Sequence, residues 1–102
     1  MISVALWTSS ERIAVQAEGH ALFAPKGADI VCASVSVLLQ GWVLGEKEIC
    51  QSPIEIRRDG DFFFAEIMGF KDKDFLLFKS LSLSLIMLSR QYPENLKVSV
   101  EE

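Results

Sequence analysis

What most constrains this chain is the way its hydrophobic period changes along its length. Apolar residues recur at every second position as Ile2, Val4 and Leu6 and again as Ile13, Val15 and Ala17. From Ile30 they switch to helical spacing, and from Ile54 to Met68 they alternate again. A long run from Asp72 to Gln91 then precedes a last alternating stretch of Leu96, Val98 and Val100. A period of two places apolar groups on one face of a strand, and a period near 3.6 places them on one stripe of a helix. The chain therefore reads as ββαββαβ. Such elements bury their apolar faces only against one another, so the expected fold is α+β: a two-layer domain with two helices on one mainly antiparallel sheet.

Turn chemistry supports this order. Thr8-Ser9-Ser10-Glu11 joins the first two strands, and Asp59-Gly60 joins the pair 54–68 as a hairpin. Asp29 is a good N-cap for a helix whose apolar positions run from Ile30 through Val35, Leu39 and Trp42 until Gly45, the expected stop. In the last long segment, Leu81-Ser82-Leu83-Ser84-Leu85 has a strand's period, but the run from Asp72 to Gln91 is too long for a strand and ends naturally at Tyr92-Pro93. As a helix it is apolar nearly all round, and it must be covered on more than one side, by its own domain or by a second copy of the chain.

With 102 residues, half of them apolar, the chain has the material for one core, and residues 1–102 read as a single domain without repeats or linkers. Cys32 and Cys50 form no C-x-x-C pair and no secretory leader pattern precedes them, which points to a reducing, cytoplasmic setting. The helix from Ile30 to Leu44, broken by Ser34, Ser36 and Gln40, reads as too short to cross a bilayer, so no membrane association is expected. A net charge of −4, with no basic run beyond Arg57-Arg58, argues against direct nucleic-acid binding.

The chemistry concentrates in Gly19-His20-Ala21 and in Asp29-Ile30-Val31-Cys32-Ala33-Ser34-Val35-Ser36, joined by a connection holding Pro25 and Gly27. His20 is the only histidine, and Cys32 falls in the first turn of a helix. Cysteine attacks as its thiolate, which a helix N-terminus and a neighbouring imidazolium both favour. These are the parts of a thiol nucleophile and its proton acceptor. The bland reading is a small buried cysteine and a solvated loop histidine. Cys50, in a polar connection, reads as a spare thiol. A metal site from His20, Cys32 and Cys50 has the wrong spacing and lacks a fourth ligand, so neither metal nor other cofactor is expected.

Together, the Gly-His-Ala element and Gly27-x-Asp29-Ile30-Val31-Cys32-Ala33-x-Val35-Ser36 resemble the bacterial ribosomal-processing cysteine protease family, Prp or YsxB-like, over essentially the whole chain. The resemblance implies a homodimeric α+β peptidase that removes a short N-terminal extension from large-subunit ribosomal protein number twenty-seven. It implies Cys32 as nucleophile, His20 as base, and the connection from Ala21 to Ala28 as a mobile loop that orders around substrate. Ser34 stands where the family often has alanine, a change that does not touch the dyad.

Supporting roles fall to Gly19, Gly27, Asp29 and Ser36. Amides of the first helical turn or of the Gly27 loop are the candidate oxyanion donors. Asp29, however, would occupy the amides of Val31 or Cys32 as a cap, and its charge opposes thiolate formation, so its expected part is to fix the position of Cys32 rather than to orient His20. Ser36, one turn after Cys32, either donates to the sulfur, steadies the loop, or bonds back to the carbonyl of Cys32. Trp42 and the Phe62-Phe63-Phe64 run read as core or interface residues. Two other functions remain open from sequence: a thiol hydrolase acting on another bond, and a dimeric, non-catalytic or redox-responsive binding module.

Overall fold

The computed structural model describes residues 1–25 and 27–101. Its elements are β1 (Ile2–Thr8), β2 (Arg12–Glu18), α1 (Ile30–Leu44), β3 (Glu55–Asp59), β4 (Phe62–Met68), α2 (Asp72–Gln91) and β5 (Leu96–Glu101), in the expected order. The five strands form one sheet in the spatial order β3-β4-β2-β1-β5. Neighbours are antiparallel except β1 and β5, which run parallel with Ile2 opposite Leu96. The sheet is thus mixed and mainly antiparallel.

Each strand pair is set by local chemistry. The Ser9 hydroxyl accepts from the Arg12 amide at 3.1 Å while the Ser9 amide donates to the Arg12 carbonyl at 2.9 Å, closing the β1–β2 turn. Alternation then sends Ile2, Val4, Leu6, Ile13, Val15, Ala65, Ile67 and Leu96 to one face, all buried. Both helices lie on that face. α1 presents Val31, Val35, Leu39, Trp42 and Val43, and α2 presents Phe78, Leu81, Leu85 and Leu88, spacings of three and four that keep each set on one stripe. At about 25 cal/mol per Å² of apolar surface removed from water, each large side chain in this layer contributes roughly 1.5–3 kcal/mol.

On the opposite face, Arg12 joins Glu66 through Nε at 2.7 Å and lies over the rings of Trp7 and Phe64, while Arg57 also covers Phe64. The phenylalanine run does face two ways: Phe63 packs against the core, and Phe64 takes the arginines on the other side.

Gly45 does not end the first helix. It keeps helical angles, and the rod continues through a π-helical turn, Gly45–Ile49, to make 20 residues from Ile30 to Ile49. Gly45 is there for close packing, because a Cβ would approach Cδ1 of Leu77 on α2 to 3.1 Å. The stop is supplied instead by Gln51, held at φ +53, and by Ser52-Pro53. The expectation of a helix too short for a bilayer is corrected with it: by length and hydropathy the rod would suffice, but here one face is a layer of the core.

The second helix starts where the Asp74 carboxylate accepts from the Lys71 amide at 2.8 Å. It ends at Tyr92, whose extended φ of −129 precedes Pro93.

Candidate active site

His20 follows β2 directly, through Gly19. Gly19 has φ +99, and a Cβ there would run into the Met1 carbonyl at the start of β1, so only glycine lets the chain turn away at this point. Beyond His20, Ala21 is buried, and its carbonyl accepts from the Asn95 side-chain amide at 2.9 Å. Asn95 itself holds the Ile2 amide through its carbonyl at 3.0 Å. The Gly-His-Ala element is therefore clamped to the parallel β1–β5 pair.

Cys32 is placed by its cap. One carboxylate oxygen of Asp29 accepts from the Val31 and Cys32 amides, each at 3.0 Å, and the other accepts from Phe23 at 3.0 Å and Ala24 at 3.4 Å. The Cys32 amide, with Phe23, Ala24 and Val31 behind it, holds the Asp29 carboxyl below the usual carboxylate range against the opposing effect of desolvation. The same side chain thus begins the helix and fastens the connection that precedes it. Both amides it caps are engaged, which removes them from the list of oxyanion donors; Gly27 lines one cleft together with Cys32. The Ala21 amide donates to Cys32 Sγ at 3.4 Å.

His20 and Cys32 line the same two clefts. One runs toward the β3–β4 turn past Ser36, Arg58, Asp61 and Phe63; the other runs under the connection past Leu22, Pro25 and Gly27. An extended peptide laid along them would cross the sulfur with room on either side of a scissile bond. Among the described residues, no hydrogen bond joins the imidazole to the thiol: Sγ takes Ala21, and His20 Nε2 lies 3.5 Å from Asp61 Oδ2. Ser36 does not bond back to the Cys32 carbonyl. Its hydroxyl oxygen accepts from the Gln40 amide at 2.8 Å, while the back-bond is made by Ser34 to Ile30 at 2.7 Å.

Sequence reasoning missed Asp61 and Asn95. In the sequence, Asp61 reads only as the first residue of the strand that returns after Asp59-Gly60. The signal that finds it is the register of β2 on β4, in which Glu18 faces Phe62, so that the residues just after one strand and just before the other must meet.

Cys50 is a free thiol, as expected, but it is buried rather than set in a polar connection, and it packs with Glu46 and Asp74, the three side chains bringing possible ligand atoms within 4.8 Å of one another. Burial first, and then Asp74, push Glu46 up to about 7, and burial pushes the Cys50 thiol up as well. Trp42 donates to one Glu46 oxygen at 3.0 Å, and Ser52 and the Lys71 amide occupy the two oxygens of Asp74. Among the described residues, Glu46 Oε1 is the one buried side-chain nitrogen or oxygen without a hydrogen-bond partner, and the cluster offers three side chains where a closed tetrahedral site needs four. A proton on Glu46, shared toward Asp74, satisfies the cluster.

The matches to known proteins converge. The family model described as cysteine protease Prp matches residues 1–97. The ribosomal processing cysteine protease Prp of Bacillus subtilis strain 168 is 33% identical over 88 residues, 79% of each chain. The crystal structure of the essential ribosomal processing protease Prp from S. aureus with a covalently linked product peptide superposes with a TM-score of 0.90 at 26% identity, covering 98% of this chain and 99% of that one. The same S. aureus protease with a substrate peptide gives a TM-score of 0.78 at 25% identity, with the same coverage of both chains.

Proposed function

The chain belongs to the cysteine protease Prp family, and from that premise we propose that it removes the short N-terminal extension of large-subunit ribosomal protein number twenty-seven during ribosome maturation. Cys32 is the nucleophile and His20 its base. The observation that carries this reading is the convergence at one sulfur of a helix N-terminus, an amide donor from Ala21 and an imidazole lining the same two-sided cleft.

The reaction runs in two halves. His20 takes the thiol proton, the thiolate adds to the scissile carbonyl, and the imidazolium gives that proton to the departing amine as the C–N bond breaks. Water, deprotonated by His20, then adds to the thioester, and the sulfur leaves as thiolate. Peptide bound along the clefts brings the imidazole and the sulfur into line, with the Ala21–Ala28 connection ordering over it. Gly19 sets the turn before His20, Gly27 gives the loop its freedom beside the sulfur, Asp29 fixes the start of α1, and Ser36 borders both clefts.

The protein acts in the cytoplasm as one domain and pairs with a second copy. Support for pairing comes from the outer side of the helical layer, where Val37 and Leu44 on α1 and Leu76, Leu83 and Met87 on α2 are all more than half exposed.

The test is cleavage of the extended ribosomal protein from the same organism. The wild-type protein is expected to release the extension, and Cys32→Ala to lose cleavage by at least about 10³-fold while still binding. Cleavage of a thioester or side-chain amide but not of the extension would select the broader thiol hydrolase.

A further inference from the structure

We propose that Asp61 is a positioning residue for His20, making the catalytic group a triad in which the carboxylate comes from the β3–β4 turn. This rests on His20 and Cys32 acting as in the proposed function. Topology makes the meeting unavoidable: with Glu18 opposite Phe62, His20 leaves the end of β2 just where Gly60 and Asp61 enter β4. Gly60, at φ +59, closes the turn tightly enough to hold Asp61 beside the imidazole, Oδ2 to Nε2 at 3.5 Å.

The other candidate carboxylate is committed elsewhere, because Asp29 spends both oxygens on four backbone amides. The remaining charged groups on this cleft are Glu18 and Arg58, and Arg58 lies over the ring of Phe63 at 5.3 Å.

The chemistry follows from the two ring nitrogens. When Nε2–H donates toward Asp61, the lone pair sits on Nδ1, which becomes the nitrogen that accepts the Cys32 proton. The same carboxylate holds the ring in that orientation while the proton passes. The His20 side chain is 69% exposed, so no packing fixes its orientation and a single carboxylate has leverage over it. The same exposure leaves the pair open to screening by salt.

Two assays separate this proposal from the choice of substrate. On the extended peptide, Asp61→Asn is expected to lower kcat about tenfold with KM nearly unchanged. Asp61→Glu recovers most of the loss. Raising salt to about 1 M brings the wild type toward the Asp61→Asn rate and leaves the variant unaffected. Alkylation of Cys32 by iodoacetamide needs no substrate, and there Asp61→Asn is expected to slow the reaction about fivefold near pH 6.5.

A shifted alkylation profile in a protein that fails to cut the ribosomal extension would retire the proposed substrate and keep Asp61. Wild-type alkylation and an unchanged kcat in Asp61→Asn would overturn the proposal, as would a change confined to KM.

Discussion

Two cysteines in one small chain have opposite environments, and that contrast is measurable. Cys32 is half-buried at a helix start with an amide on its sulfur, whereas Cys50 is buried, and desolvation first and then the neighbouring carboxyl groups push its thiol up. Iodoacetamide at pH 6–7 is expected to label Cys32 at least about tenfold faster than Cys50, read by peptide mass spectrometry, and His20→Ala should slow the labelling of Cys32 alone. Equal rates would favour a packing role for both thiols. At the same scale, Gly19→Ala brings a Cβ into the Met1 carbonyl at a positive φ, a strain of roughly 1–3 kcal/mol. A lowered Tm and a slower Cys32 alkylation are expected together, because this turn carries His20.

Among the elements, the π-helical end of α1 makes its own prediction. Glu46 rises from 4.5 to about 7 on folding, so the folded chain holds a proton that the unfolded chain gives up. Below the unfolded value both states carry it and the cost vanishes. Between about pH 4.5 and 7 stability falls with rising pH, by about 3 kcal/mol in all, and above that the loss is complete. Asp74, held below its ordinary value by the Lys71 amide and Ser52 against desolvation, contributes the opposite slope at more acid pH. Urea titrations of Glu46→Gln, which can still accept from Trp42 and can donate toward Asp74, should match the wild type near pH 5 and exceed it near pH 8. Parallel curves would show that Glu46 ionises freely in the fold.

The same element shows where sequence reasoning stops. Sequence pattern, through length rather than period, places α2 correctly despite Leu81-Ser82-Leu83-Ser84-Leu85: Leu81 and Leu85 turn inward while Leu83 stays exposed. It fails at Gly45, where a residue that ends many helices serves close packing on Leu77, a contact between distant parts of the chain. Cys50 and Asp61 were misjudged or missed for the same cause. Burial of the one and the partner of the other depend on how elements dock, whereas the Asp29 cap is a contact within three residues and is visible locally.

In the molecule as a whole, one sheet face carries the core, and the helical layer on it has an apolar outer side. Leu85, fully buried between α2 and the sheet, should cost about 2–5 kcal/mol when replaced by Ala, as measured by denaturant unfolding. Leu83→Lys on the outer side should leave the fold intact and shift the protein from dimer to monomer in sedimentation; a wild-type monomer would remove the proposed pairing.

The site lies at the edge where β2, the β3–β4 turn and the start of α1 meet, and the proposed reaction requires that the sulfur of Cys32 become covalently joined to substrate. Rapid quenching of the extended ribosomal protein with the enzyme, followed by intact mass and peptide mapping, tests this directly. A transient adduct equal to the N-terminal fragment, mapped to Cys32 and absent in Cys32→Ala, is the predicted result. Cleavage that persists in Cys32→Ala would contradict it.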